Sequence, residues 1–409
     1  MEEKVAILFH RLGPYHVARL TAASRLIRLV AIETSGVDET YAWDKVGGVQ
    51  PFERLTLFEG ADAQKLPRAK VVGQVCSLLD RIRPSVVVVP GWADAAAMGG
   101  LRWSAQNGVP SVMLSESTEW DGARRPWREW VKRRRVGFCS AALVGGNPHK
   151  DYIAKLGMPP ERVSLGYDVV VNAYFAEKAA RCNRPAVDRS INGSERTGAG
   201  LHYFLASARF VEKKNLHRLI QAYALYRELV SRAHDGNGKG ETWDLVLLGD
   251  GPLRGELTAQ ISDLTLDDHV RLPGFKQYGE LPEYYGSAGA FIHASTTEQW
   301  GLVVNEAMSS GLPVLVSNRC GCATDLVRSG ANGFLFDPNQ VEELAELMLK
   351  ISSSRFPRGA FGEESRRIIA AWGPDRFAHG LKDAVETARQ NRRRKFGWGD
   401  RLLLELLLR

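Results

Sequence analysis

The chain has 409 residues, of which 44% are hydrophobic and 25% are charged, and its formal net charge is +7. At roughly 150 residues per domain, this length predicts two or three domains, each able to bury a core. No segment approaches the roughly 18 consecutive apolar residues of a membrane span. The opening MEEKVAILFH also lacks the basic and apolar regions of a signal peptide. We therefore expect a cytoplasmic protein that is not integral to a membrane.

The cysteines do not predict a metal site or a disulfide framework. The five are Cys76, Cys139, Cys182, Cys320 and Cys322, and they form no C-x-x-C pair. Buried or incidental thiols in a reducing compartment are the expected interpretation. Two thiols at positions 320 and 322 cannot by themselves supply the four ligands of a structural zinc site.

The first half of the chain alternates between strand and helix patterns. Strands are predicted at 5–10, 29–33, 55–58, 85–89, 111–115 and 142–145, and helices at 17–29, 66–83 and 93–107. This alternation is typical of a doubly wound parallel sheet, and it predicts a Rossmann-like domain over residues 1–182. Ligands of such sheets bind at the carboxyl ends of the strands.

Two loops of this domain carry candidate acceptor-side residues. In RLGPYH, Gly13 permits close backbone approach and His16 stands in the first turn of the next helix. This loop is equally well explained as a ligand-binding loop or as a plain turn with a capping histidine. In SESTEWD, Glu116 and Asp121 follow a strand, and they are either site residues or solvated loop acids.

Residues 124–135 combine seven cations with two tryptophans. Basic residues beside interfacial aromatic side chains suit contact with an anionic membrane or another polyanion. The alternative is a solvated helix whose tryptophans, Trp127 and Trp130, pack inward. No recognisable nucleic-acid module accompanies the stretch, so we do not expect nucleic acid as a partner.

A polar linker rich in Gly, Ser and Asn is predicted at 183–200, followed by a second α/β series over 201–375. Its first strand leads to Arg209 and Lys214, and a later strand ends in Gly-Asp-Gly-Pro at 249–252. A helix at 376–390 and a basic, apolar tail at 391–409 close the chain.

The most informative stretch of this second half is ASTTEQWGLVVNEAMSSGLPVLVS, residues 294–317. Here Glu298 and Glu306 stand on either side of a loop-to-helix junction. If the helix begins near Gly301, Glu298 lies just before its first turn and Glu306 lies in its second turn. Both acids can then face one ligand.

Together these residues predict a pocket for a nucleotide diphosphate sugar. Two cations, Arg209 and Lys214, together with the backbone amides of Gly301 and Leu302 at a helix start suit a diphosphate. A carboxylate can accept hydrogen bonds from both hydroxyl groups of a ribose, which fits Glu306. A second carboxylate can hold sugar hydroxyls, which fits Glu298.

The second half resembles the retaining glycosyltransferases of family 4, through SARFVEKKN, GDGP, LPGF, HASTTEQWGLVVNEAMSSGLPVLVS and NGFLFDP. The resemblance implies a GT-B architecture, in which two Rossmann-like parallel-sheet domains face a cleft and the last helices cross back to the first domain. It implies that Arg209 and Lys214 bind the donor diphosphate, that Glu306 binds the ribose and that Glu298 contacts the transferred sugar. Gly249, Gly251, Gly301 and Leu302 would complete the donor site. Relatives often carry an acceptor-side histidine at the position of Glu116.

The expected activity is transfer of a sugar, with retained anomeric configuration, from a nucleotide diphosphate to an acceptor hydroxyl. UDP is the expected nucleotide by resemblance, and the acceptor belongs to a glycolipid, a polysaccharide or a lipid-linked saccharide. We expect front-face transfer without a metal or other cofactor. The alternatives are a nucleotide-sugar epimerase or phosphorylase on the same plan, and a membrane- or polyanion-binding protein with a vestigial donor site.

Overall fold

The computed structural model describes residues 3–37, 46–181, 203–234 and 242–391. The contacts divide the chain into two units, one comprising Met1–Val170 with Trp372–Arg409 and the other Val171–Ala371. The predicted linker at 183–200 lies outside the described residues, as does the predicted tail beyond Asn391.

The first unit is built on a seven-stranded parallel sheet in the order β3-β2-β1-β4-β5-β6-β7. Its strands are β1 Val5–Phe9, β2 Leu29–Ser35, β3 Glu53–Phe58, β4 Val86–Pro90, β5 Ser111–Ser115, β6 Ala141–Val144 and β7 Val163–Leu165. The valines of β4 are fully buried, as expected for a parallel sheet that is covered on both faces. Each predicted strand of this half is present, with ends shifted by no more than two residues.

The crossover helices of this sheet are α1 Pro14–Ala23, α2 Arg68–Ile82, α3 Ala95–Asn107, α4 Pro126–Val136 and α5 Asn147–Lys155. Helix α1 begins three residues earlier than predicted because Pro14 occupies its first turn, where the fixed φ of proline favours a helix start. It also ends at Ala23 rather than at residue 29, which is already the first residue of β2. The Asp94 carboxylate caps α3 by accepting a hydrogen bond from the Ala97 amide at 2.6 Å.

The second unit is built on a six-stranded parallel sheet in the order β10-β9-β8-β11-β12-β13. Its strands are β8 Tyr203–Ser207, β9 Asp244–Leu248, β10 Val270–Gly274, β11 Ala290–His293, β12 Val314–Ser317 and β13 Gly333–Phe336. Its helices are α6 Asn172–Arg181, α7 Leu216–His234, α8 Arg254–Asp263, α9 Leu281–Ser287, α10 Leu302–Ser309, α11 Ala323–Leu326, α12 Val341–Ser352 and α13 Arg358–Ile369.

Helix α6 belongs to the second unit, whereas the sequence pattern predicts a first domain that extends to residue 182. The side-chain amide of Asn172 donates to the Ile369 carbonyl at 2.7 Å and accepts a hydrogen bond from Ser309 at 3.0 Å. Phe175 is fully buried against the aromatic side chains of the same unit. These contacts fix α6 on α9, α10 and α13.

The last described helix, α14 Pro374–Gln390, packs on the first unit. Gly380 approaches the Leu165 carbonyl so closely that a Cβ would stand 2.5 Å from its oxygen. The ring of Phe377 contacts Tyr167 at a centroid distance of 6.2 Å. Among the described helices, none combines the length and apolar character needed to cross a membrane.

Candidate active site

Most of the predicted donor-site residues lie at the carboxyl ends of three adjacent strands of the second unit. Strands β9, β8 and β11 are neighbours in the sheet. The Gly-Asp-Gly-Pro turn follows β9, Arg209 and Lys214 follow β8, and Glu298 to Leu302 follow β11. The sheet topology therefore brings together segments that are up to about ninety residues apart in sequence, at the edge where α/β sheets bind ligands.

Gly249 and Gly251 allow the loop that carries Arg209 to pack directly on the turn after β9. The Phe210 amide donates to the Asp250 carbonyl at 2.9 Å. A Cβ on Gly249 would stand 1.8 Å from the Ala208 carbonyl oxygen, and one on Gly251 would stand 2.6 Å from that of Phe210. Both glycines also have positive φ, 128° and 157°. The two glycines thus position the Arg209 loop by allowing its backbone to approach the backbone of the turn after β9.

The two predicted diphosphate ligands have different surroundings. Arg209 is exposed, and its guanidinium forms no ion pair with any described residue. Lys214 is mostly buried, with 15% of its side chain exposed, and its ammonium group pairs with the Glu298 carboxylate. Neighbouring Lys213 lies further away, with Nζ 3.9 Å from Glu298 Oε1. The Arg209 guanidinium is therefore accessible to a ligand, whereas the Lys214 ammonium group is paired with the Glu298 carboxylate.

The Glu298 carboxylate lies in a polar cluster that includes a buried histidine. Its Oε2 atom lies 3.3 Å from His293 Nε2 and accepts a hydrogen bond from Ser295 at 3.4 Å. Burial alone would raise the pKa of Glu298, but the His293 hydrogen bond and the Lys214 charge outweigh it and lower that pKa. Burial lowers the pKa of His293, which favours a neutral imidazole that donates from Nε2.

Helix α10 begins at Leu302, so Glu298 precedes the helix and Glu306 lies inside it. This is the geometry expected for a helix that begins near Gly301. Gly301 is the N-cap residue, with φ 102° in the left-handed region that favours glycine. The first amides of a helix have no carbonyl partner within it and carry a partial positive charge. The amides of Gly301 and Leu302 therefore suit an anionic group.

Glu306 is 2% exposed, and Tyr285 donates a hydrogen bond to its Oε2 atom at 2.7 Å. Tyr285 is itself fully buried on α9. Burial and the nearby Glu306 charge raise the pKa of the Tyr285 phenol well above its usual value. The phenol therefore remains protonated, and it remains a donor, at neutral pH.

Three residues of this cluster were not identified from the sequence: His293, Ser295 and Tyr285. His293 ends the buried strand β11, and a polar residue at the carboxyl end of such a strand is a signal that could have identified it. Tyr285 gives no comparable signal, since its contact with Glu306 depends on how α9 packs beside α10.

In the first unit, Gly13 and His16 form a helix cap. The Gly13 amide donates to His16 Nδ1 at 3.2 Å, and the imidazole contacts Phe9 at a centroid distance of 4.7 Å. Burial and the charge of Arg19 lower the pKa of His16 to about 3, so the ring is neutral at pH 7. The capping role considered from the sequence is present, and a role in acceptor binding stays a prediction.

Glu116 and Asp121 differ in their surroundings. Glu116 directly follows β5 and is partly buried. Burial and then the Glu116 charge raise the pKa of buried Tyr167, which follows β7. Asp121 instead pairs with Arg124 at 2.5 Å and accepts a hydrogen bond from the Thr118 amide at 3.2 Å. Asp121 thus orders its own loop, whereas Glu116 lies near a second strand end.

Helix α4 divides the basic stretch into a bound set and an exposed set. Arg124 and Lys132 both contact Glu129 and the Tyr152 hydroxyl, and Arg135 donates to the Trp92 carbonyl at 3.0 Å. The remaining cations are exposed and form no ion pair with any described residue: Arg125, Arg128, Arg133 and Arg134.

The two tryptophans of α4 are exposed, Trp127 by 61% and Trp130 by 48%. The alternative in which they pack inward is therefore wrong. Arg128 lies 5.2 Å from the centroid of the Trp127 ring, and Arg134 lies 5.2 Å from that of Trp130. At about 100° per residue, Trp127, Trp130 and Arg134 fall within a sector of about 60° on the helix. These three residues form one outward stripe. We use the name α4 outer face for this stripe together with the exposed Arg128 and Arg133.

Within the described residues, no group of three or more His, Cys, Asp or Glu side chains is arranged to hold a metal ion. Cys320 and Cys322 are buried beside the Glu298 loop. Burial raises the pKa of both thiols, which makes them unreactive at neutral pH. The expectation that no metal is required stays a prediction.

Comparisons with known proteins agree with the arrangement in the second unit. Residues 191–369 match the family model for glycosyl transferases group 1. The amylovoran biosynthesis glycosyltransferase AmsK of Erwinia amylovora is 30% identical over 154 residues, which cover 36% of this chain and 35% of that protein. The match thus spans about a third of this relative. A GDP-mannose-dependent phosphatidylinositol monomannoside mannosyltransferase of Mycobacterium tuberculosis is 25% identical over 332 residues, 73% of this chain and 81% of that protein.

The fold is shared with solved glycosyltransferase structures over nearly the whole chain. The structure of Anabaena Alr3699/HepE in complex with UDP and glucose aligns with a TM-score of 0.70 and 16% identity, covering 94% of this chain and 99% of that one. This likeness confirms the predicted fold class, two Rossmann-like parallel-sheet domains of the GT-B type. The family match lies in the second half of the chain, over residues 191–369, whereas the fold match extends over nearly all of it.

Proposed function

We propose that this protein transfers a sugar from a nucleotide diphosphate sugar to an acceptor hydroxyl. The observation that carries this proposal is the convergence of Arg209, Lys214 and the first amides of α10 at the carboxyl ends of adjacent strands. Negative charge grows on the diphosphate as the bond to the sugar breaks. Cations and amides that are already in place for that charge stabilise the transition state.

Each part of the donor has a counterpart among these groups. Exposed Arg209 and the amides of Gly301 and Leu302 receive the diphosphate, and Lys214 joins them by exchanging its contact with Glu298. Glu306 accepts hydrogen bonds from the ribose hydroxyls. Glu298, kept ionised by His293 and Lys214, accepts hydrogen bonds from the transferred sugar.

Retention of the anomeric configuration follows from a front-face route. A double displacement would need an acid that acts as a nucleophile at the sugar carbon. The Glu298 carboxylate is a poor candidate because Lys214, His293 and Ser295 all bind its Oε2 atom. In the front-face route the leaving phosphate itself accepts the proton of the acceptor hydroxyl, and no cofactor or metal is required.

UDP is the proposed nucleotide. The HepE structure contains UDP and glucose, and this fold match extends over both units. The mycobacterial relative is named for GDP-mannose, so GDP is the competing nucleotide.

A thermal-shift panel of UDP-, GDP-, ADP- and dTDP-sugars tests the proposal, since a ligand that binds the folded state raises the melting temperature. We expect UDP-sugars to give the largest shift. The absence of any shift with the whole panel would contradict donor binding.

We further propose that the protein contacts a membrane at its cytoplasmic face, where the acceptor is a lipid or a lipid-linked saccharide. The α4 outer face supports this partner, because it presents exposed tryptophans beside arginines that have no acidic partner among the described residues. Such a surface suits anionic headgroups, and each basic residue near the surface contributes about 1 kcal/mol.

The epimerase and phosphorylase alternatives use the same donor site and differ in the reaction. Conversion of the nucleotide sugar in the absence of any acceptor would favour an epimerase. Release of a sugar phosphate when inorganic phosphate is supplied would favour a phosphorylase. Transfer that depends on an acceptor hydroxyl is the result we expect.

A further inference from the structure

Tyr285 makes a buried side-chain contact with the Glu306 carboxylate. Its hydroxyl donates to Glu306 Oε2 at 2.7 Å, and both residues lie in the second unit. Tyr285 is 0% exposed and Glu306 is 2% exposed. A hydrogen bond in such surroundings is stronger than one in water, and water cannot readily replace it.

The ring of Tyr285 is held by aromatic neighbours on both sides. Phe175 of α6 meets it edge-on at a centroid distance of 5.9 Å, and Phe291 of β11 lies at 5.7 Å. The next residue, Gly286, approaches the Ala179 backbone so closely that a Cβ would stand 2.6 Å from its carbonyl oxygen. These contacts fix α9 on α6 and leave the tyrosine hydroxyl little freedom to move away from Glu306.

The direction of the hydrogen bond matters for ribose recognition. A carboxylate has about four acceptor positions, and Tyr285 occupies one of them on Oε2. Because the tyrosine donates from a fixed position, it favours a single orientation of the Glu306 carboxyl group. A ribose presents two neighbouring hydroxyl donors, which an oriented carboxylate can accept together.

We propose that Tyr285 is a positioning residue, which holds the Glu306 carboxyl group aligned for the two hydroxyl groups of the donor ribose. The proposal rests on the proposed function, since it assumes that Glu306 binds the ribose. It assigns to Tyr285 the discrimination between ribonucleotides and nucleotides that lack these hydroxyls. A purely structural tyrosine would affect the stability of the fold without affecting this discrimination.

The test compares the binding of UDP and 2′,3′-dideoxy-UDP by calorimetry in the unmodified chain and in the variants Tyr285→Phe and Glu306→Gln. We expect the unmodified chain to prefer UDP by more than about tenfold, because dideoxy-UDP lacks both hydroxyl donors that the site is proposed to bind. Tyr285→Phe should lose most of this preference through weaker UDP binding, while its affinity for dideoxy-UDP stays the same. With a UDP-sugar as substrate, KM should rise more than kcat falls.

Tyr223→Phe is the matched control. Its hydroxyl donates to the Trp243 carbonyl at 2.9 Å in the same unit, and the residue is fully buried. The control should lower the melting temperature to a similar extent and keep the full preference for UDP. If the control also lost the preference, the effect would be one of general stability and the inference would fail.

The remaining outcomes separate this inference from the proposed function. If Glu306→Gln lost the preference and Tyr285→Phe kept it, Glu306 would bind the ribose without help from Tyr285, and only the inference would be overturned. If Glu306→Gln kept the preference, the ribose role of Glu306 would be wrong, and the inference with it. If the unmodified chain bound neither UDP nor GDP in parallel titrations, the donor site itself would be contradicted.

Discussion

Lys214 and Glu298 form an ion pair in which Glu298 also contacts His293, with Oε2 at 3.3 Å from the imidazole Nε2. From the sequence, the lysine was assigned to the diphosphate and the glutamate to the sugar. The structure shows that the two residues contact each other across the carboxyl ends of β8 and β11. A donor that binds both residues must either separate the Lys214 and Glu298 side chains or contact the Lys214 ammonium group while it stays paired with Glu298.

This pair predicts a large effect of Lys214→Ala on the rate. The variant removes a cation from the diphosphate and removes a partner from the Glu298 carboxylate. Loss of one preorganised charge contact typically costs about 100-fold in kcat. Steady-state release of the nucleoside diphosphate checks this. Lys213→Ala is the control, and its half-exposed ammonium at 3.9 Å predicts a much smaller fall. Equal effects of the two variants would contradict a specific role for Lys214.

The lowered pKa of Glu298 predicts how its contribution to stability depends on pH. A carboxyl group whose pKa is lower in the folded state than in the unfolded state stabilises the fold above its unfolded pKa of about 4.3. This contribution is lost as the pH falls through the folded-state pKa. Glu298→Gln leaves the Lys214 charge unpaired, and it should cost about 3 kcal/mol of unfolding free energy at pH 7. Denaturant titrations give the unfolding free energies of this variant and of the unmodified chain, and the difference between them should shrink below pH 4. A difference in unfolding free energy that stays constant from pH 7 to pH 3 would argue against an ionised Glu298.

Gly249→Ala should destabilise the second unit and weaken donor binding at the same time. Its Cβ would stand 1.8 Å from the Ala208 carbonyl oxygen, at a φ of 128°. The backbone strain alone costs about 1–3 kcal/mol, and the Arg209 loop must shift. Gly255→Ala is the matched control, because that glycine lies exposed in α8 with open space around it. The control should raise the stability by about 0.5 kcal/mol. Thermal melting and nucleotide binding measure both effects.

The α4 outer face predicts binding to anionic vesicles that weakens with salt. Sedimentation with phosphatidylglycerol vesicles should decrease several-fold when Arg128, Arg133 and Arg134 are changed to Gln. The control changes three exposed arginines elsewhere in the first unit to Gln: Arg25, Arg81 and Arg83. Trp127→Ala should weaken binding without a change of charge. Equal binding to phosphatidylcholine vesicles, or equal losses in the two arginine triples, would contradict a specific docking face.

Much of the fold was predictable because buried parallel strands have a distinctive composition. The fully buried valines of β4 and the apolar run of β12 predict strands by themselves, and the intervening helical periodicity predicts the crossovers. Helix ends were less predictable. The pattern for α1 predicts a helix to residue 29, whereas the helix ends at Ala23. The apolar residues that follow lie in the turn after α1 and in the next strand.

The candidate site was predictable where one residue type is required by the local backbone or by the ligand chemistry. Gly249, Gly301 and Arg209 belong to this group. The contacts Tyr285–Glu306 and His293–Glu298 were not predictable, since they depend on how neighbouring elements pack side by side. The division of the α4 cations into bound and exposed sets was likewise invisible in the sequence, because it depends on Glu129 and Tyr152 reaching the same helix face.

The most direct test of donor-site catalysis is the rate of sugar transfer from the nucleotide sugar by Arg209→Ala. Arg209 is the exposed cation of the site, and it has no ion-pair partner among the described residues. Arg232→Ala, which removes an exposed arginine of the same unit on α7, is the control. We expect a fall of about 100-fold or more for Arg209→Ala, with unchanged melting temperature, and no change for Arg232→Ala. Equal rates of transfer by the two variants would contradict the assignment of this site to glycosyl transfer.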